Sequence, residues 1–511
     1  MSIHRSRLLR VVLACTVTLG VVSVAWCDEW QNPKANKPPR AKPHRRSAAE
    51  SLPPLPLPAT PLRRSERKRQ PAPPALVGMV NFSESKFAIV KGQRKRVSAF
   101  PTTQIDIERL MKHANSRLRV RYRFIGMTLD KFSWNPAELP LLYITGWTPM
   151  PKLSDELIAK LRRYLYDGGT LVVHAQCGRK PFRETARVQI ARILPERRLA
   201  PVDTDSPLFN AFYPIKHMRI RRDDKPFQAR KPYIEAVYLG CRPAIIYSPV
   251  DLNCGWDVVK HPIVGDTMMY HQNDALTLGV NIVATVLANF EYARAWGTQK
   301  IYPQQGDKTR GQLVIAQVSH DGDWDPTPHA LPSLMKHIQA NTTLDVQFKR
   351  DVTDLGSVYV SKHPVLYMTG LRDFKLTANQ VARLRSYLAS GGVLIADAAA
   401  GRAAFDEAFR REIKRVLPDA KLKSLPQASP VYQMPNKISA VDYTALVKTR
   451  NPKLNAPALE GITVNGQLAV IYSPMSLSNG WEKLAYAYNR GYANDDSIRL
   501  GVNVFAYALT H

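Results

Sequence analysis

The sequence predicts an α/β protein made of two tandem copies of one domain, each a parallel sheet with helices on both faces. Three observations carry this. Long phrases recur in the same order a little over 220 residues downstream. Short, branched apolar runs alternate with segments of helical periodicity. Glycines and prolines punctuate those segments at matching places in both copies.

The phrases are specific. "PLLYITG" (140–146) returns as "PVLYMTG" (364–370), and "KLSDELIAKLRRYLYDGGTLVVHAQCGRKPF" (152–182) as "KLTANQVARLRSYLASGGVLIADAAAGRAAF" (375–405). "IYSPVDLNCGW" (from Ile246) returns as "IYSPMSLSNGW" (from Ile471), and "LGVNIVATVLANF" (from Leu278) as "LGVNVFAYALTH" (from Leu500). Repeats of roughly 20–50 residues build solenoids; a unit of this length is a duplicated domain.

Within a copy, "LLYIT" and "TLVVHA" read as strands buried on both faces. Between them Leu157, Ile158, Leu161, Tyr164 and Leu165 share one helical face. Ser154 is placed to cap that helix and Gly168-Gly169 to stop it. In the second copy Thr377 to Gln380 spells a capping box. "AIIYS" is a further strand, ended by a proline that cannot continue a ladder. A helix starting at Gly-Val-Asn closes each copy. "RLRVRYR" in the first copy alternates as a strand with one charged face would.

The N-terminus reads differently. Arg5, Arg7 and Arg10 precede a charge-free, mostly apolar run from Val11 to Trp26. With Ala25 and Cys27 at its end, this has the pattern of a secretory signal peptide over residues 1–27. An uncleaved anchor is the alternative; Trp26 argues against a lipidated Cys27. Residues 28–75 form a basic, proline-rich linker, with about a dozen prolines and eleven Lys or Arg between residues 31 and 75. The two repeat domains are placed at 76–300 and 308–511.

The formal net charge is +30. Residues 1–27 carry +3, 28–30 carry −2 and 31–75 carry +9, so residues 76–511 keep +20. Such a surface suits polyanions. Without the leader, three cysteines remain, Cys177, Cys241 and Cys254, too few for a disulfide scaffold. A Cys241–Cys254 bridge is one arrangement this leaves open.

The "LYxTG" strand, the "LRxYLxxGG" helix, "FRREIKRVLPD" (409–419), "IYSPxxLxxGW" and "HDGDWDPTPHALPSLMKHIQANT" (320–342) resemble the domain of unknown function 4159 family. The resemblance covers most of residues 76–511. It implies a flavodoxin-like, class I glutamine amidotransferase-like fold and a bacterial envelope setting, and it implies no activity.

Cys177 is the first candidate catalytic residue. It sits where a strand turns into a helix near Pro181, a position amidotransferase-like folds give to a nucleophile. His174 is the candidate base. Against both, the second copy has Ala400 and Asp397 there, and neither copy shows a His-x-Glu partner pair. His320, Asp321, Asp323 and Asp325 form "HDGDWD", but a closing Glu for a calcium loop is absent. That run is expected to be a polar loop capping a helix near Pro328, and no metal is expected. Tyr247, Ser248 and Trp256 recur as Tyr472, Ser473 and Trp481. They are candidates for a shared binding pocket, with scaffold as the competing and commoner use of large aromatics.

The expectation is an exported periplasmic or envelope protein, non-catalytic and cofactor-free, that binds anionic polymer, a membrane surface or partner proteins. A cysteine hydrolase or amidase using Cys177 is the alternative. Nucleic-acid binding ranks below both, because an exported protein rarely meets it.

Overall fold

Strand formation follows the apolar runs. β5 (Leu141–Gly146) and β6 (Thr170–Ala175) are buried at every position, as strands covered on both faces must be. A computed structural model describes residues 72–81, 86–90, 93–97, 105–128, 135–146, 148–257, 265–297, 314–344 and 350–510. The leader and nearly all of the linker lie outside these residues. Ala72–His511 is one compact unit.

The first repeat holds β1 (Ala75–Asn81), β2 (Lys86–Val90), β3 (Gln93–Val97), β4 (Arg123–Thr128), β5, β6, β7 (Ala200–Pro201), β8 (Met218–Arg222), β9 (Gln228–Arg230), β10 (Glu235–Leu239), β11 (Arg242–Ser248) and β12 (Met268–Tyr270). The second holds β13 (Ala316–Ser319), β14 (Asp351–Asp354), β15 (Val365–Gly370), β16 (Val393–Ala398), β17 (Lys423–Ser424), β18 (Glu460–Val464) and β19 (Gln467–Ser473). The two main sheets have the same seven-stranded order, β4-β1-β5-β6-β11-β10-β7 and β14-β13-β15-β16-β19-β18-β17. Their registers agree as well: His174 lies opposite Ser248, and Asp397 opposite Ser473.

Each sheet is parallel except at one edge, where β10 and β18 run antiparallel to their neighbours. A tight hairpin causes this. In the second repeat it is Asn465-Gly466, both at positive φ (49° and 84°), the pairing that a two-residue hairpin prefers.

The helix signals hold locally. Ser154 caps Asp155–Tyr166 through its hydroxyl, and Thr377 and Gln380 complete the capping box of Ala378–Ala389. Two readings change. "RLRVRYR" is mostly the end of the helix Ile105–Leu118 and the turn after it; strand begins only at Arg123. The closing helices do not start at Gly-Val-Asn. They start at Gln272 and Asn494, and the glycine lies about two turns inside. Gln272–Trp296 is apolar and long enough to span a membrane, yet 67% of its apolar window is buried, as in a core helix.

Those inner glycines seat the tryptophans. A Cβ on Gly279 would lie 2.9 Å from Trp256 Nε1, and one on Gly501 would lie 2.5 Å from Trp481 Nε1 and 2.8 Å from Leu334. Gly501→Ala is therefore expected to cost about 1–3 kcal/mol by overpacking. Urea unfolding checks this, and a cost indistinguishable from zero would refute it. The asparagine of the same phrase is a clasp. Asn281 Nδ2 donates to the Leu208 and Tyr213 carbonyls, and Asn503 Nδ2 to those of Val431 and Asn436. A buried amide so satisfied ties each closing helix to a loop.

The repeats also dock on one another. Leu371, Ala399, Ala400 and Tyr486 of the second belong to a core cluster made mainly by the first, beside Tyr238 and Cys241. Asp205 accepts two hydrogen bonds from Arg402, at 2.7 and 3.0 Å, and one from the Ala403 amide at 2.8 Å. Arg372 lies 3.8 Å from Asp203, and Arg197 3.6 Å from Asp323.

Candidate functional site

Both repeats make the same turn where β6 and β16 end. Cys177 has φ 53° and ψ 12°; Ala400 has φ 50° and ψ 17°. A non-glycine residue in this region costs roughly 1–2 kcal/mol. The glycine after each is also left-handed, and a Cβ on Gly178 would strike the Met268 backbone. Since Ala400 adopts the turn without any reactive group, the turn belongs to the fold. What differs is the chemistry placed on it.

In the first repeat the turn is held by Asp251, which is wholly buried. Its Oδ2 accepts the Cys177 amide, and its Oδ1 accepts the Cys254 amide at 2.8 Å. Cys254 Sγ lies 3.1 Å from Asp251 Oδ2, and the two sulfurs are 3.9 Å apart. Both thiols are partly buried. Cys254 has one S–H. Turned toward Cys177 it lowers that thiol's pKa. Turned toward the nearer Asp251 it leaves both sulfurs beside a carboxylate. Cys177, burial and Asp251 together push Cys254 well up.

The second repeat rebuilds the support with neutral groups. Ser476 stands where Asp251 stands, Asn479 where Cys254 stands, and Ala400 where Cys177 stands. Asn479 Oδ1 accepts the Ala400 amide at 3.3 Å and the Ser476 hydroxyl at 3.0 Å. Asp397 replaces His174 and accepts from Tyr367 Oη, the Leu477 and Ser478 amides, and Ser478 Oγ, at 2.6 to 3.0 Å. This end of the second sheet faces the first repeat, so the partly exposed turn is that of Cys177.

No hydrogen bond joins His174 to Cys177 among the described residues. His174 is fully buried, with Nε2 2.5 Å from Tyr143 Oη and no hydrogen-bond partner at Nδ1. Burial lowers its pKa to about 3, so the ring is neutral. His174 lies within β6 with its ring turned to Tyr143, whereas Cys177 lies beyond the strand's end on the left-handed turn. The Cys241–Cys254 bridge that the sequence left open is not formed. Cys241 is buried at the repeat interface, 3.4 Å from Asn479 Oδ1, and all three described cysteines are free.

The repeated aromatics are core. Tyr247 Oη donates to the Arg183 carbonyl, Ser248 Oγ to Val250, and Trp256 Nε1 to Ala275. Tyr472 Oη donates to Asp406, Ser473 Oγ to Met475, and Trp481 Nε1 to Ser497. None of the six exposes more than 2% of its surface, so they form no open pocket. Two of the three "HDGDWD" acids are spent on cations: Asp325 pairs with Arg350 at 2.6 Å, and Asp323 with Arg197. His320 bonds Thr369 and Gly322 internally. The helix that follows starts at Ala330 and has no side-chain cap.

Two features escaped sequence reasoning. Asp106, in the first turn of its helix, is 2% exposed and accepts from Asn253 Nδ2 at 2.8 Å; burial raises its pKa to about 7. Its sequence signal was that of an ordinary first-turn acid. The other is a basic cleft. β8, β9 and β12 form a small sheet found only in the first repeat. Beside it a cleft of about 860 Å³ is lined by Arg222, Lys225, Arg230, Lys231, Tyr233 and Met268 among others, with no acid in its wall. An adjoining hollow of about 440 Å³ adds Arg183 and Arg187 but also the acids Glu184, Asp223 and Asp266. Arg222, Lys225 and Lys231 form no ion pair among the described residues. "MRIRRDDK" signalled charge there but not concavity.

Three solved structures are similar to parts of this chain. A putative thua-like protein from Bacteroides uniformis is 12% identical, with 41% of this chain and 96% of that one covered and a TM-score of 0.23. A putative phosphosugar isomerase from Silicibacter pomeroyi is 11% identical, with 63% and 75% covered and a TM-score of 0.14. Alpha-L-fucosidase isoenzyme 2 from Paenibacillus thiaminolyticus is 9% identical, with 86% and 84% covered and a TM-score of 0.19. No curated protein matches the chain. The sequence profile of the domain of unknown function DUF4159 matches residues 86–287 and again 314–509. With its two matched segments coinciding with the two sheets, the chain belongs to that family and carries its domain twice.

Proposed function

We propose that the protein is an exported envelope protein whose first repeat binds an anionic polymer in the basic cleft, while the second repeat braces it. The carrying observation is the acid-free wall of Arg222, Lys225, Arg230 and Lys231. Uncompensated cations in a concave site concentrate anions, and the partly exposed Tyr233 ring adds a stacking face suited to sugars. The charge-free run after Arg5, Arg7 and Arg10 supports export. The basic, proline-rich segment behind it supports a tether that adds to the attraction for polyanions or a membrane surface. The burial of His174 against Tyr143, and the lack of a His-x-Glu pair in either copy, support a binding role over hydrolysis at Cys177.

The test is binding of the full chain to a uronic-acid polysaccharide. Affinity is expected to fall about tenfold or more as salt rises from about 0.05 to 0.5 M. Reversing Arg222, Lys225 and Lys231 to Glu is expected to weaken binding about tenfold at low salt without altering the melting temperature. Equal affinity of the variant and the parent would remove the cleft from the proposal.

A further inference from the structure

The cleft leaves the thiols of the first repeat unused. Three groups of metal-ligand chemistry meet there: Cys177 Sγ, Cys254 Sγ and an Asp251 carboxylate oxygen all lie within 4.8 Å of one another. We propose that Cys177, Cys254 and Asp251 form a tetrahedral site for a thiophilic divalent cation such as Zn²⁺, with the fourth position left to water.

The spacing fits an ion rather than a bridge. Two thiolates about 2.3 Å from a tetrahedral ion stand about 3.8 Å apart, and a thiolate and a carboxylate oxygen about 3.5 Å. The observed separations are 3.9 Å between the sulfurs and 3.1 Å from Cys254 to Asp251. A disulfide needs sulfurs at about 2.05 Å and has no use for the carboxylate. The ligands are already oriented, since the Cys177 and Cys254 amides both bond Asp251. Such outer contacts fix a ligating carboxylate. Asp251 is wholly buried while both thiols are partly open, which leaves one side of the site to solvent.

The second repeat supplies the internal comparison. The same left-handed turn is kept, yet all three ligands are exchanged together for Ala400, Asn479 and Ser476, and the Asn479 amide closes the space by hydrogen bonds. A purely structural role for the acid and thiols is thus met elsewhere in this chain by neutral groups. Binding would release thiol protons to solvent as both sulfurs become thiolates, so affinity falls as pH falls.

The experiment titrates the reduced, desalted full chain with Co²⁺ as a spectroscopic substitute for Zn²⁺. A sulfur-to-cobalt charge-transfer band and tetrahedral d–d bands are expected, saturating at one equivalent and abolished by added Zn²⁺. Cys177→Ala and Cys254→Asn introduce the residues the second repeat uses at these positions. Each is expected to lose the bands or weaken binding at least about tenfold, with near-ultraviolet circular dichroism unchanged. Asp251→Asn is expected to weaken binding while keeping the charge-transfer band. The site is overturned if folded, reduced protein with alkylatable Cys177 and Cys254 gives no such band. It is equally overturned if the bands persist in both cysteine variants, which would place the metal on other thiols. Polysaccharide binding is read separately, so loss of either proposal leaves the other standing.

Discussion

Asp205→Ala is expected to destabilise the protein by about 3–5 kcal/mol at neutral pH. Arg402 is only 4% exposed, and its guanidinium is held by Asp205 across the repeat interface. Removing the carboxylate strands a buried cation and also frees the Ala403 amide at the start of a helix. Burial pushes the Asp205 pKa up, but Arg402 and the helix amides outweigh it and hold it below the usual carboxylate range. A depressed carboxylate stabilises fully above its unfolded pKa of about 3.9 and loses that contribution as pH falls through its folded pKa. The gap between parent and variant should therefore be whole at pH 7 and shrink below about pH 4. Urea unfolding at both pH values measures it. A gap under about 1 kcal/mol at pH 7 would mean that the interface does not depend on this pair.

Asp397→Ala is the second large effect, again about 3–5 kcal/mol. Four donors converge on this wholly buried carboxylate, and two of them are amides of the short helix that carries Trp481. Alanine orphans them all. Asp397→Asn keeps one acceptor oxygen and should recover part of the loss. His174→Ala in the first repeat takes a partner from Tyr143 alone, so its cost should be smaller, about 1–3 kcal/mol including the cavity. Denaturation of the three variants side by side decides the matter. An Asp397→Ala cost no larger than that of His174→Ala would show that the carboxylate is not what fastens the helix.

Local rules were readable along the chain. The duplication, the buried strands and the caps at Ser154 and Thr377 depend on neighbours within a few residues, so periodicity and spacing report them directly. The edge hairpin at Asn465-Gly466 was not read, although its signal is local, a backbone preference of those two residues. The inner glycines of the closing helices and the burial of Asp106 are set by contacts far away in sequence, with Trp256, Trp481 and Asn253, whereas "RLRVRYR" was misread locally, because the helix Ile105–Leu118 runs into it.

The site was legible only in part. Cys177 could be placed on a strand-to-helix turn, because strand and helix signals flank it. Its partners could not, since Asp251 is 74 residues away and Cys254 77 residues away. Only the sheet order, which lays β11 beside β6, brings them together. The basic cleft depends likewise on β8, β9 and β12 folding against the segment that follows β11, where the Asp251 amide donates to the Met268 carbonyl. The sequence by itself determined two α/β domains, their strands and helices, and a strongly basic charge. Tertiary structure alone decided which turn stays open, which thiols meet and where the cations face a hollow, because burial and proximity are properties of packed surfaces and not of neighbouring residues.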